Sequence, residues 1–156
     1  MVIIEDTRQQ KGKHETKHKW FDQNNVELLR CKLPFGDYAP PPHIAVDTKK
    51  DMEEIAGNIC GSKSEHQRFK REVLAARDAG CKLYFLIENE NGISSIDDVH
   101  KWVNPRAVYY PECVQGSRLE KAMKTMSERY GCVFLFCKPE ESGEMITRIL
   151  RQEDGE

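Results

Sequence analysis

The chain has no apolar run approaching the roughly 20 residues that a membrane helix requires, and its start, MVIIEDTRQQKGK, lacks the apolar core of a secretory signal. A cytoplasmic protein is therefore expected, nucleoid-associated in a bacterial or phage setting, with no membrane partner. There is no C-x-x-C pair among Cys31, Cys60, Cys81, Cys113, Cys132 and Cys137, and no Cys/His spacing of a zinc site, so the thiols are expected to be reduced and largely packed inside. An overall positive charge is also missing: the net charge of -2 excludes a polycation that coats nucleic acid. No internal repeat, low-complexity tract or linker is visible. What is present is 156 residues, 38% hydrophobic and 32% charged, with a mean hydropathy of -0.70. These values predict one domain over 1–156, with its core over about 2–151 and a short acidic tail.

The charge is uneven. Arg8, Lys11, Lys13, Lys17 and Lys19 face a single acid, Glu15, whereas residues from Glu140 onward carry mostly acids. A local basic stripe of this kind can contact phosphates at any overall pI. The β-branched run at 2–5 predicts a strand, 14–23 a helix with Trp20 and Phe21 turned to the core, and VELLRCKLP a second strand. A strand IAVD follows the proline turn APPPH. Helices are predicted from near Asp51, over 64–79 and over 95–103, then over 118–130 and 140–151, with strands KLYFLIE and CVFLFC between them. Alternating strands and helices imply an α/β domain with a sheet covered on both faces.

The residues richest in chemistry lie in FGDYAPPPHIAVDTKKDMEE. Asp47 and Lys49 are two apart on a strand, so both leave the same face about 6.6 Å apart. If the strand after Gly36 forms a hairpin with IAVD centred on Pro41, Phe35 opposes Asp47 and Asp37 becomes a diagonal neighbour at about 7 to 8 Å. Two carboxylates at that reach hold a hard divalent ion, Mg2+ or Mn2+, and a neighbouring lysine compensates charge growing on a phosphate. The same residues also suit an ordinary surface hairpin whose Asp47-Thr48 caps the next helix.

Asp37...Asp47-x-Lys49 resembles the PD-(D/E)xK signature of restriction-endonuclease-like nucleases, and in particular the XPF-type branch, G-D-x(n)-E-R-K-x3-D. The match reads Gly36-Asp37, then Asp47-Thr48-Lys49, then Glu53. VIIEDTRQ is similar to the family's first strand and aligns Asp6 and Arg8; RFKRE, Arg68 to Glu72, is similar to its R-L-x-x-Q. KLYFLIE and the stretch from Arg118 to Leu150 follow in the family's order. Asp47 stands for the usual Glu, Thr48 for Arg, Gln9 for Glu and Glu72 for Gln.

The resemblance implies a restriction-endonuclease-like α/β domain with a central mixed β-sheet flanked by helices on both faces. It also implies Mg2+- or Mn2+-dependent endonuclease cleavage of branched, flap or junction DNA. By the same carry-over Asp37, Asp47 and the Thr48 backbone carbonyl bind metal, Lys49 positions water, and Asp6, Arg8, Arg68 and Glu72 border the site and the scissile phosphate. The family's helix-hairpin-helix domain has no counterpart in the sequence, so DNA grip is expected from this domain, from a homodimer, or from a helicase or DNA-binding partner. A non-catalytic DNA-binding subunit of the same fold is the alternative.

A third reading comes from His14-Glu15-Thr16-Lys17-His18, which spells the H-E-x-x-H of zinc peptidases. Lys13, Lys17 and Lys19 crowd those histidines with ammonium groups, and no third ligand is evident. Lysines so placed suit a phosphate-facing helix instead. Replacing Lys13, Lys17 and Lys19 by Ala is therefore expected to weaken duplex binding, and to lower the log-log salt slope by about 0.9 for each phosphate no longer neutralised. Binding untouched by the triple change would mean that the helix is surface only.

Overall fold

The computed structural model describes residues 1–151, so the end of the expected acidic tail, 152–156, lies outside the described residues. Where one core was expected, the chain divides into two compact units, Met1–His43 and the remainder from Ile44.

In the first unit, β1 (Val2–Asp6), α1 (Glu15–Gln23), β2 (Glu27–Cys31) and the two-residue β3 (Tyr38–Ala39) follow in order. β2 runs parallel to β1 with Ile4 opposite Leu29, and β3 runs antiparallel on the other edge with Ile4 opposite Ala39. No residue of α1 is buried, and Trp20 is 57% exposed. The expectation that Trp20 and Phe21 both turn inward fails because consecutive helical residues point about 100° apart. Phe21 is the half-buried one, its ring edge-on to Tyr38 at 5.9 Å. The residues of this unit that are buried are two acids, Glu5 and Asp6.

The second unit holds β4 (Ile44–Lys49), α2 (Met52–Cys60), α3 (Lys63–Asp78), β5 (Lys82–Glu88), α4 (Gly116–Tyr130), β6 (Val133–Cys137) and α5 (Ser142–Leu150). Its sheet, ordered β4-β5-β6, is parallel throughout, with Asp47 opposite Phe85 and Phe85 opposite Phe134. The α/β class thus stands, but the single central mixed sheet is replaced by two three-stranded sheets, the first mixed and the second all parallel. A 3-10 turn at Ile96–Lys101 stands where the helix over 95–103 was expected, and a second follows at Pro105–Val108.

The core lies on one face of the second sheet. Leu83, Phe85 and Ile87 alternate onto it and meet Phe69 and Val73 of α3, Ile55 of α2 and Met123 of α4. Phe85 is the centre, fully buried, with ring centroids 4.7 Å from Phe69 and 5.3 Å from Phe134. α5 packs on β4 and β5 with Ile149 buried, covering the face that carries Tyr84 and Leu86. Ser62 and Glu65 cap the start of α3 reciprocally, and Asp51 caps α2 by accepting the Glu54 N–H. Of the six cysteines, all free, only Cys132 and Cys137 are buried, so the expected interior thiols are realised in part. Among the described residues no helix is long and apolar enough to cross a membrane. Phe85→Ala is expected to cost about 3–5 kcal/mol, read as a lower urea midpoint for the cooperative transition of this unit.

Candidate active site

β4 is short, and its pairing decides where its polar residues go. Asp47 and Lys49 share the face of Phe85 and Ile87, so a carboxylate and an ammonium sit at the margin of an apolar face. Lys49 is only 8% exposed. Its Nζ lies 3.0 Å from Asp47 Oδ1 and 5.9 and 5.8 Å from the ring centres of Phe69 and Phe85. An ammonium taken out of water at that depth needs a counter-charge, and the carboxylate and two ring faces provide it.

α3 brings the other half of the site. Glu65, Arg68 and Glu72, spaced i, i+3, i+7, lie on one flank of the helix and, with Asn58 of α2, Lys49 and Phe69, line a polar cleft of about 90 Å3. Glu72 reaches Asp47. Burial first, then the hydrogen bond to Asp47 and that residue's negative charge, push the Glu72 carboxyl up, against the opposing pull of Lys49 and Arg68. With Asp47 already paired to the Lys49 ammonium, its negative charge favours the protonated form of Glu72 beside it. The side-chain oxygen of Asn58, buried in this region, has no partner. Asn58 and Glu65 escaped the sequence reading, although the i, i+3, i+7 spacing of Glu65 with Arg68 and Glu72 signals one helix face.

Asp47, Glu72 and the orphaned carboxamide of Asn58 offer oxygen donors alone. That chemistry fits Mg2+ or Mn2+, which binds through one or two carboxylates and completes its shell with waters and substrate phosphate. Among the described residues no three His, Cys, Asp or Glu side chains converge to hold an ion by themselves.

The expected hairpin is not formed: β3 pairs with β1, and β4 pairs with β5. Pro40, Pro41 and Pro42 have no N–H to give to a ladder, so the chain between the two strands cannot close one. The predicted Phe35–Asp47 register therefore gives no support to Asp37. In the first unit Asp37 is exposed and follows Gly36, whose φ of +77° suits glycine. Its backbone oxygen accepts from the Asp6 N–H at 2.9 Å, and its charge reaches Arg8.

Asp6 is saturated. Arg8 donates to it through Nε at 2.7 Å, Nη2 at 3.0 Å and its backbone N–H at 2.7 Å, while the Leu33 N–H donates at 2.6 Å. The Arg8 hydrogen bonds, chiefly, hold the Asp6 carboxyl far below the usual carboxylate range. Such a group ties a loop and does not exchange protons near neutrality.

Glu5 is held by Arg30 Nη1 at 2.8 Å and His18 Nε2 at 2.6 Å. The Tyr38 hydroxyl stands alongside without a well-formed hydrogen bond. Burial alone would raise the Glu5 carboxyl, but His18, Tyr38 and Arg30 together bring it below its ordinary value. His18 Nε2 is thereby engaged by a carboxylate, and among the described residues no group of three His, Cys, Asp or Glu forms around His14 and His18. Lys11, Lys13, Lys17 and Lys19 are exposed, with Lys17 over the Tyr38 ring at 5.9 Å.

The raised Glu72 carboxyl has a thermodynamic consequence whose sign is fixed. A raised folded-state pKa contributes stability below the ordinary value of 4.5 and loses it as pH rises through the folded one. Asp98 and Glu120, the carboxyls of the same unit held low chiefly by the Ser94 and Lys124 hydrogen bonds, act in the opposite sense, and their contribution is complete once pH is above their ordinary values. In metal-free buffer the melting temperature of the second unit is expected to fall with rising pH on the alkaline side of that range, and Glu72→Gln is expected to remove that fall. An unchanged slope in the variant would place the titration elsewhere.

No protein-family model matches the chain, and no curated protein matches it in sequence. Among solved structures it is similar to XPF from Aeropyrum pernix, with a TM-score of 0.52 and 16% identity, over 99% of this chain and 66% of that one. It is similar also to XPF from Aeropyrum pernix in complex with DNA, with a TM-score of 0.50 and 16% identity, over 98% and 64% of the two chains. The chain spans just under two thirds of the length of that archaeal protein, and at this identity what the likeness establishes is an XPF-like fold.

Proposed function

We propose that the chain is a metal-dependent endonuclease that hydrolyses phosphodiester bonds in DNA near branches, flaps or single/double-strand junctions. The observation that carries this reading is the Asp47–Lys49–Glu72 cluster, built on a core strand and its neighbouring helix in a fold similar to that of XPF, which has been solved with DNA. Asp47, with Glu72 beside it and the Thr48 carbonyl next in the chain, would hold Mg2+ or Mn2+. When bound, that ion supplies Lewis-acid stabilisation of the negative charge that grows on the phosphate.

The chain's own groups supply the rest. Lys49, fixed by Asp47 and two aromatic rings, holds its ammonium where it orients the attacking water and balances charge on the phosphoryl oxygens. Glu72, its carboxyl pushed up by burial and by Asp47, would release its own proton on holding a cation and, once ionised, would take one from the attacking water. Arg68, exposed one helical turn before Glu72, is a phosphate contact. Asp6 and Arg8 act as positioning residues for the loop ending at Leu33. The family resemblance gives Asp37 a metal role, and Asp37→Ala tests that assignment separately. A homodimer, or a helicase or DNA-binding partner, would add the remaining grip on DNA.

One observation favours the alternative of a non-catalytic DNA-binding subunit: Lys49 closes on Asp47, and no third acid converges among the described residues. Incubation with labelled flap, fork and Holliday-junction DNA in Mg2+, Mn2+ or EDTA separates the two. Metal-dependent nicking, lowered about 100-fold or more by Asp47→Ala and by Lys49→Met, is expected. Binding without nicking in any metal leaves the non-catalytic subunit, and equal nicking by Asp47→Ala would falsify the assignment of the site.

A further inference from the structure

α3 carries two polar flanks on either side of its buried stripe, Phe69 and Val73. At about 100° per residue, Glu65, Arg68 and Glu72 fall on one side, and Lys63, His66 and Lys70 fall on the other. That second flank faces α4 across a groove of about 570 Å3, which Arg118, Arg129 and Tyr130 also line. Every charged side chain lining this groove is basic. Among the described residues none of Lys63, Lys70, Arg118 and Arg129 pairs with a carboxylate, whereas other cations of the same unit, such as Lys49, Lys101 and Lys124, do. His66 gives its Nδ1 to the Ile59 carbonyl at 2.7 Å, which leaves Nε2 toward the groove.

The floor is apolar, formed by Ile59, Ala122 and Met126, and Tyr130 lies under Lys70 and Arg77 at 6.0 Å from each. Cys60 and Gly61 line this groove and also the next one, of about 330 Å3, which Arg106 and Tyr110 border. The two hollows thus adjoin at Cys60 and Gly61, and Glu53 is the one acid that lines the second. Tyr109 and Tyr110, 81% and 64% exposed, follow directly on the 3-10 turn Pro105–Val108 that carries Arg106. Four unpaired cations 7 to 11 residues apart on two helices, an apolar floor and exposed aromatic faces at one end are the parts of a track for an unstacked strand. The cations follow the backbone, and the rings accept bases.

We infer that this groove between α3 and α4, with the hollow beyond Gly61 that Tyr110 borders, binds a single strand of nucleic acid. The inference rests on the nucleic-acid reading of the chain, but its test needs no cleavage. Binding of the whole chain to a labelled oligo-dT of about 15 nucleotides, on the order of one single-strand site, is measured by fluorescence anisotropy in EDTA across a salt series. Duplex of the same length, a mononucleotide and pyrophosphate are run beside it.

Arg118→Glu combined with Arg129→Glu is expected to weaken oligo-dT binding about tenfold or more, and to flatten the salt slope by about 0.7 for each phosphate no longer neutralised. Tyr110→Ala is expected to weaken it severalfold with little effect on the slope. Both variants alter exposed positions, and unchanged melting curves confirm that they fold. Oligo-dT affinity within about twofold of wild type in both folded variants overturns the inference, as does binding of mononucleotide or pyrophosphate with no binding of oligo-dT. Should the variants fail to bind oligo-dT while the wild type nicks no DNA in any metal, the groove stands and the nuclease reading alone falls.

Discussion

A nearly buried ammonium at the end of a core strand sets the terms for the rest of the second unit. Lys49 cannot be left uncompensated against Phe69 and Phe85, and the group that compensates it is Asp47, on the same face two residues earlier. That pairing fixes the register of β4 on β5, because a slip of one residue would turn both charges to the face covered by α5 and bring Val46 and Thr48 to the core. Asp47, once fixed, lies against Glu72, and α3 can bring Glu72 there only because Phe69 and Val73 pin the helix to the sheet. The apolar core and the polar site are thus one construction, with the aromatic cluster serving as the platform on which the charges are held.

The first unit is organised differently. Its buried residues are carboxylates, Glu5 and Asp6, each surrounded by donors drawn from distant parts of the unit: Arg8 and Leu33 on one, His18 and Arg30 on the other. Buried ion pairs of this kind fix conformation more than they add net stability, since desolvation offsets much of the attraction. They act as ties that join strand, helix and loop in a 43-residue stretch with no buried apolar side chain of its own. This accounts for the fate of the H-E-x-x-H spelling: His18 belongs to a carboxylate's shell, and the lysines around it remain in solvent.

Strong local patterns were legible in the sequence. KLYFLIE is β5 residue for residue, CVFLFC and IAVD lie within one or two residues of β6 and β4, and the helices of the second unit start within about two residues of where the sequence places them, α2 and α3 at the caps Asp51 and Ser62. Strand periodicity places Asp47 and Lys49 on one face, whereas Arg68 and Glu72 were singled out through the family resemblance; Lys49, Arg68 and Glu72 line one cleft. Strand pairing was not legible. Propensity cannot say which partner a short strand takes, and the proline turn that looked like a hairpin instead joins strands of different sheets. The contribution of Asn58 was hidden for a related reason, since only the tertiary packing of α2 on α3 leaves its oxygen unpartnered. The short 3-10 turn before Tyr109 and Tyr110 has no periodicity to read.

The central claim is that Asp47 and Glu72 form a seat for a hard divalent ion from which Glu72 must lose a proton. The most direct measurement is the calorimetric titration of the metal-free chain with Mn2+ at a pH just above the ordinary carboxylate range, in two buffers of different ionisation enthalpy. Proton release on binding that disappears in Glu72→Gln, with binding itself abolished by Asp47→Ala, is the predicted result. Mn2+ binding that Asp47→Ala leaves intact, or binding with no proton released by the wild type, would contradict the account.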